Sequence, residues 1–387
     1  MKEAVIVACA RTPIGRAHKN LGYFRDVRAD DLGVAVVRAV IDRAKIDPNL
    51  IEDLLFGVTG QRFEQGFNVA RMIALMAGLP FDTGGVTINR LCGSSLQALI
   101  QASHSIMVGA EDIQIVGGVE HMQRVPMETA EIVNTHVFER TPVEALVMGH
   151  TAEMLAQDRG ITRLQQDEYA MQSHMKAAAA HARGEFKGEI VPTWGHKSNG
   201  DHILVEMDQC VRPDTNMESL GGLNPAFAAS GGSVTAGNSS PLNDGAAAML
   251  VMGRDTADRL GLKPLVRVVS SGVAGVDPRF MGTGPIPATR KALSRAGLSI
   301  NDIDVIEMNE AFAVQALVCM KELEIPPERL NLRGGSIALG HPLGASGARV
   351  ATTLIHNMID RGARYGLATM CVGVGQGITT IFERIEA

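Results

Sequence analysis

One pattern occurs twice in this chain, and the spacing inside each copy is the same. Ala44-Lys45-Ile46 leads to Ile51-Glu52-Asp53-Leu54-Leu55-Phe56, and Ala296-Gly297-Leu298 leads to Ile303-Asp304-Val305-Ile306-Glu307-Met308. A second echo follows. Gly93-Ser94-Ser95, a helical stretch and the run 113–118 are matched by Gly344-Ala345-Ser346-Gly347, a helical stretch and the run 367–373. Each half reads helix, strand, glycine-rich turn, helix, strand. Such self-similarity points to two copies of one α/β unit packed against each other. A chance match of two amphipathic units is the alternative that the repeat alone leaves open.

Apolar runs at 4–8, 53–56, 113–116, 247–251, 305–308 and 367–371 read as buried parallel strands. The stretches 31–44, 95–108, 288–296 and 346–359 carry helical patterns. Strands alternating with helices predict a layered α/β fold. Between the halves the composition changes to Met, His, Gln and charge, with few strand signals. There, 153–158 and 164–183 predict amphipathic helices, and 194–201 and 221–232 predict loops. Long insertions at strand ends are where α/β folds place ligand contacts. The expected division is an N-terminal half, 1–119 with 245–265, a loop domain, 120–244, and a C-terminal half, 266–387.

Composition narrows the function classes. With 387 residues the chain is too long for one ordinary core. A formal net charge of −6 and 4% aromatics argue against nucleic-acid binding by charge or base stacking. The five cysteines (Cys9, Cys92, Cys210, Cys319, Cys371) show neither a disulfide framework nor zinc spacing, and a reducing, cytoplasmic setting is expected. The uncharged stretches 91–110 and 365–382 carry Gln, Ser and His, or four glycines. A membrane span needs roughly 20 predominantly apolar residues, so no transmembrane segment is expected. Gly373-Val374-Gly375-Gln376-Gly377 does not fit the dinucleotide pattern G-x-G-x-x-G, and no Walker motif or HExxH occurs.

Chemistry concentrates in three glycine-rich turns. Cys92 sits in Asn89-Arg90-Leu91-Cys92-Gly93-Ser94-Ser95, ahead of a helix whose N-terminal dipoles favour a thiolate and whose amides can serve as oxyanion donors. His341, in Gly340-His341-Pro342, can take a proton from a thiol. Cys371, in Cys371-Val372-Gly373, offers a second thiol for proton transfer, and the Gly373 amide can join that of Cys92 in one oxyanion hole. Asn309, in Asn309-Glu310-Ala311-Phe312, ends a buried strand and can orient a water or polarise a carbonyl. For each residue taken singly a packing or capping role is the competing reading.

Together these pieces resemble the thiolase family, over essentially the whole chain. The resemblance rests on the turns above and on Gly117-Gly118-Val119-Glu120, Thr235-Ala236-Gly237-Asn238 and Asn243-Asp244-Gly245-Ala246-Ala247. It implies duplicated α/β halves in a five-layer αβαβα arrangement with an inserted loop domain, and tight homodimers. It also implies roles. Cys92 is the nucleophile, His341 its activator, and Cys371 the acid and base at the second thiol or α-carbon. Asn309 acts with His341, through a water, as one oxyanion hole; the amides of Cys92 and Gly373 form the other. Ser240 and Met148 match positions that line the pantetheine channel. CoA enters as substrate, with no metal or prosthetic group implied.

The segments 63–71 and 119–122 look most like the degradative, fatty-acid-oxidation branch. Its members cleave 3-ketoacyl-CoA and belong to a complex with a dehydrogenase–hydratase α subunit. The alternatives are a biosynthetic acetoacetyl-CoA thiolase and, more remotely, a non-catalytic acyl-CoA binder. A ketoacyl-carrier-protein synthase is disfavoured, because it needs His or Asn in place of Cys371. Three departures from the family pattern stand out: Arg333 for Asn, Ser336 for a common Ala, and the bulky His150 in the Met-Gly-x-Thr-Ala-Glu region. None is expected to touch the four catalytic positions; they bear on pocket shape.

Overall fold

The computed structural model describes residues 2–127, 133–228 and 230–385. Among these the strands are β1 (Ala4–Arg11), β2 (Gly15–Arg16), β3 (Asp53–Gly57), β4 (Val86–Ile88), β5 (Ile113–His121), β6 (Thr193–His196), β7 (His202–Val205), β8 (Asn243–Gly253), β9 (Val266–Gly275), β10 (Val305–Met308), β11 (Tyr365–Val372) and β12 (Gln376–Arg384). The helices are α1 (Ala29–Ala44), α2 (Val69–Ala77), α3 (Ser94–Val108), α4 (Met148–Arg159), α5 (Arg163–Ala182), α6 (Met217–Gly221), α7 (Arg254–Arg259), α8 (Pro285–Ala296), α9 (Ala313–Leu323), α10 (Ser336–Leu339) and α11 (Ser346–Arg361). Local signals account for many ends. In α1, Leu32, Val36, Val37, Val40 and Ile41 recur at helical spacing on the buried face. Pro285 opens α8, and Gly297 closes it in the left-handed conformation.

The main sheet runs β10-β11-β12-β9-β1-β8-β5-β3-β4, with β2 beside β8. Its centre is a short junction, Val5 opposite Arg267 and Ile6 opposite Val266. Reading outward from it, β1-β8-β5-β3 is matched by β9-β12-β11-β10. Each set makes two antiparallel steps and then a parallel one. The duplicated pattern in the sequence is thus a duplicated topology.

The expectation of parallel strands is corrected here. β1 and β8, read from 4–8 and 247–251, pair antiparallel with each other. Both are buried on both faces, so they lack the alternation that marks a one-sided antiparallel strand. β9 escaped notice because Arg267, Ser270 and Ser271 interrupt its apolar run. The expected loop at 194–201 is partly strand: β6 pairs with β7 across it as a hairpin.

Apolar burial falls into layers. One core lies under α1 and α2 on the N-terminal sheet. A second is sandwiched between the two half-sheets around α3 and α11. A third lies under α8 and α9 on the C-terminal sheet. The order is αβαβα. In the middle layer α3 and α11 touch almost backbone to backbone. A Cβ added to Gly347 would stand 2.4 Å from the Leu96 nitrogen, and one on Gly118 would stand 2.3 Å from the Gly344 carbonyl oxygen. Overpacking of a tight core costs about 1–3 kcal/mol. Gly347→Ala should therefore lower unfolding free energy by about 2–3 kcal/mol in urea titration. Gly221→Ala, with nothing within 4 Å of the new carbon, should stay within about 0.5 kcal/mol of the parent.

Candidate active site

Cys92 is held at the mouth of α3 by a strained turn. Leu91 has φ of 45°, unusual for a non-glycine residue. Its amide donates to Asn89 Oδ1 at 2.8 Å, and its carbonyl accepts from Ser94 Oγ at 2.6 Å. Arg90 ties the turn to the other half, donating to Gln97 at 2.8 Å and to Gln376 at 2.9 Å. Cys92 keeps partial exposure. It opens on a cavity of about 340 Å³, walled by Leu91, Met122, Met148, Leu343 and Gly373 among others.

Burial pushes the Cys92 thiol up to about 11, against the opposing pull of the Gly373 and Cys92 amides, which donate to its sulfur. The carboxylate of Glu120 adds to the rise. This reverses the expectation that the helix end would favour a thiolate; desolvation outweighs the dipoles. Cys371, at the end of β11, is 1% exposed. Its thiol is raised well above the usual range by burial and then by the nearness of Cys92 and Cys319.

His341 follows Gly340, whose φ of 111° suits only glycine, and its amide donates to Asn243 Oδ1 at 2.8 Å. Ser346 Oγ donates to the Pro342 carbonyl at 3.0 Å. Its 2.6 Å contact with His341 Nδ1 therefore has the ring donating. This puts the proton on Nδ1 and leaves the lone pair on Nε2. Nε2 lies 3.3 Å from Asn309 Nδ2. Burial, aided by the Arg349 charge, lowers His341 to about 3, so the imidazole is neutral. The Asn309 backbone N–H donates to the Thr369 carbonyl at 3.0 Å, and its side-chain Oδ1 accepts from Ser336 Oγ at 2.6 Å.

The structure thus gathers Cys92, Gly373 and Met148 on one cavity and sets Asn309 against His341. Cys371 lies near enough to Cys92 for their charges to interact. Ser240 is not on that cavity wall; its amide donates to the Ala311 carbonyl at 3.0 Å. The expectation that no departure touches these positions fails for Ser336, which bonds Asn309 directly. Arg333 instead bonds the Glu185 carbonyl and Asp360, and His150 lies in the first turn of α4.

Sequence reading assigned no role to Glu120, although an acid ending an apolar strand is a signal. It is 1% exposed. It accepts from the Thr59 amide and hydroxyl, the Gly60 amide, the Gln65 side chain and the Gly344 amide at 2.7–3.2 Å. That set clamps the His341 loop to the N-terminal half.

Two thiols, a neutral imidazole and paired amide donors are the parts that acyl transfer through a thioester requires. Residues 4–255 match the thiolase N-terminal domain and residues 262–384 the thiolase C-terminal domain. The chain belongs to the thiolase family. It is 52% identical to the 3-ketoacyl-CoA thiolase of Aeromonas salmonicida over the full length of both chains. It is also 52% identical to the 3-ketoacyl-CoA thiolase of Shewanella loihica, over 99% of this chain and all of that one. Among solved structures, the acetyl-CoA acetyltransferase of Bacillus anthracis superposes with a TM-score of 0.92 at 38% identity, covering 100% of this chain and 99% of that one.

A raised Cys92 and a low His341 leave the two groups at rest as thiol and imidazole, not thiolate and imidazolium. Alkylation of Cys92 by iodoacetamide in the free protein should rise with pH by about tenfold per unit and continue rising beyond pH 9. Stopped-flow or mass-spectrometric rates check this; a plateau between pH 6 and 8 would reveal an ion pair instead.

Proposed function

We propose that this chain is a degradative 3-ketoacyl-CoA thiolase, using CoA to cleave a 3-ketoacyl-CoA into acetyl-CoA and an acyl-CoA shortened by that unit. The observation that carries the reading is the convergence of both halves on Cys92. Its own amide and that of Gly373 point at the sulfur, on an apolar cavity fit for an acyl chain. The names of the relatives support the choice of substrate.

In this reading His341 Nε2 takes the Cys92 proton as the sulfur attacks the 3-keto carbon. Asn309 and His341, with a water, hold the oxyanion that forms. The Cα–Cβ bond breaks, and its electron pair takes the proton of Cys371, which burial keeps protonated. Acetyl-CoA leaves and the acyl group stays on Cys92. CoA then enters, and Cys371 removes its thiol proton. The CoA sulfur attacks the thioester, with the Cys92 and Gly373 amides on the second oxyanion. Cys92 leaves and regains its proton from His341. CoA is a substrate, and no metal or prosthetic group takes part.

Residues 120–244 supply CoA contacts, Met148 from the cavity wall and Ser240 from outside it. The proposed setting is the cytoplasm, and the proposed assembly is a homodimer, supported by Phe67 and Phe81, 92% and 89% exposed, near the edge strand β4. A dehydrogenase–hydratase α subunit is the proposed partner. No helix among the described residues is long and apolar enough to cross a membrane.

CoA-dependent thiolysis of a long 3-ketoacyl-CoA, set beside acetoacetyl-CoA, tests the reading. Ping-pong kinetics with clear turnover of the long substrate are expected; turnover of acetoacetyl-CoA alone would move the chain to the biosynthetic branch. Asn309→Ala should lower kcat by about 10²–10³, the usual cost of an oxyanion donor.

A further inference from the structure

Behind the site runs a string of hydrogen bonds whose donors and acceptors fit one consistent assignment. At one end Arg349 Nη2, which can only donate, gives a proton to Ser336 Oγ at 2.8 Å. The Ser336 hydroxyl must then spend its own hydrogen on Asn309 Oδ1 at 2.6 Å. With Oδ1 so held, Nδ2 faces His341 Nε2 at 3.3 Å. At the far end the Pro342 carbonyl, which can only accept, takes the Ser346 hydroxyl hydrogen at 3.0 Å, so Ser346 receives the His341 Nδ1 proton at 2.6 Å. Ser346 and Arg349 stand three residues apart in the first turn of α11, on neighbouring positions of one face. The helix therefore closes the string into a ring around the Asn309 amide and the imidazole.

Arg349 is fully buried, and among the described residues its Nε and Nη1 have no hydrogen-bond partner. A buried cation is costly unless paired. The carboxylates that act on its charge, Glu307, Glu189 and Asp208, make no hydrogen bond to it among the described residues, and Glu307 is itself pushed up to about 8 by burial. The bond to Ser336 is thus a large part of what the guanidinium does there. Ser336 is itself fully buried.

We propose that Ser336 and Arg349 are positioning residues. Arg349 polarises Ser336, and Ser336 locks and polarises the Asn309 amide so that Nδ2 presents a strengthened donor beside His341. A polarised hydrogen-bond chain strengthens each member, and a donor fixed beforehand needs no reorganisation when charge develops. This rests on the oxyanion role given to Asn309 above. Neither residue touches substrate in this scheme, so the effect belongs in kcat and not in KM.

The test is a double-mutant cycle in thiolysis, with folding of each variant checked by circular dichroism. Ser336→Ala should lower kcat about tenfold, less than loss of the donor itself, with KM for the ketoacyl substrate unchanged. Ser336→Cys, a weaker donor at the same place, should fall between parent and alanine. In the Asn309→Ala background, Ser336→Ala should cost less than a further twofold. A slow Asn309→Ala beside a fully active Ser336→Ala would overturn the positioning role and leave Asn309 in the mechanism. An equal additional loss in the double variant would also overturn it, since Ser336 would then act independently of Asn309. A fully active Asn309→Ala would instead sink the oxyanion assignment, and the positioning role with it.

Discussion

Everything in the site depends on how closely α3 and α11 approach in the middle layer. Gly347 meets Leu96 where no side chain fits, and Gly57 and Gly118 let the adjoining strands press against the Gly344 carbonyl. Because the halves are copies, the turns that open the two helices arrive at the same place. One carries Cys92, the other His341. The strands beside those helices, β5 and β11, end there too, with Glu120 and Cys371. A looser crossing would separate two half-sites, neither of which holds a complete set of groups. Glu120 reinforces the crossing by bonding the Gly344 amide of one half from a strand of the other.

Burial sets the electrical state of that meeting point. Both thiols are pushed up and the imidazole is pushed down, each chiefly by desolvation. The site thus rests with its reacting groups neutral, in surroundings where an isolated charge is expensive. Charge need appear only as a bond forms. In the mechanism proposed above, a proton passing from sulfur to imidazole creates an ion pair, and attack on a carbonyl carries the negative charge to an oxygen that amide donors await. Acylation then removes the charge from sulfur altogether. A low-dielectric site of this kind favours reaction over idle ionisation.

The duplication was legible because its signal is local: a helix end, a turn and an apolar run at fixed spacing. Strand direction was not, because β1 and β8 are apolar on both faces whichever way their neighbours run. Cys92, His341 and Cys371 stand out in the sequence because each sits beside glycines that permit an unusual turn. Their supports do not. Ser336 lies 27 residues from Asn309, and Glu120 lies 224 residues from Gly344. Nothing local distinguishes Ser336 from a packed serine, and Arg349 reads as one more charge in an amphipathic helix. The unexpected residues at Arg333 and Ser336 looked alike in sequence. Only geometry separates an ion pair with Asp360 from a bond to the site.

The cavity wall bears on how selective such a site can be. Met122, Met127, Met148, Leu91 and Leu343 line it, with Glu120 as the charged side chain among the described residues. Glu120 is already occupied by donors from Thr59, Gly60, Gln65 and Gly344, so it offers little to a ligand. Methionines are unbranched and polarizable, and they refill gaps of irregular shape. Among the described residues such a wall rewards each added methylene by contact area, and its polar side chains Thr59 and Glu120 are bonded to each other. Discrimination by an apolar pocket is limited to about 1–3 kcal/mol per methylene, whereas a built hydrogen bond rejects its absence far more strongly. In the function proposed above, this wall favours tolerance along the acyl chain and strictness at the reacting carbons, the part given to Cys92, Asn309, His341 and Gly373.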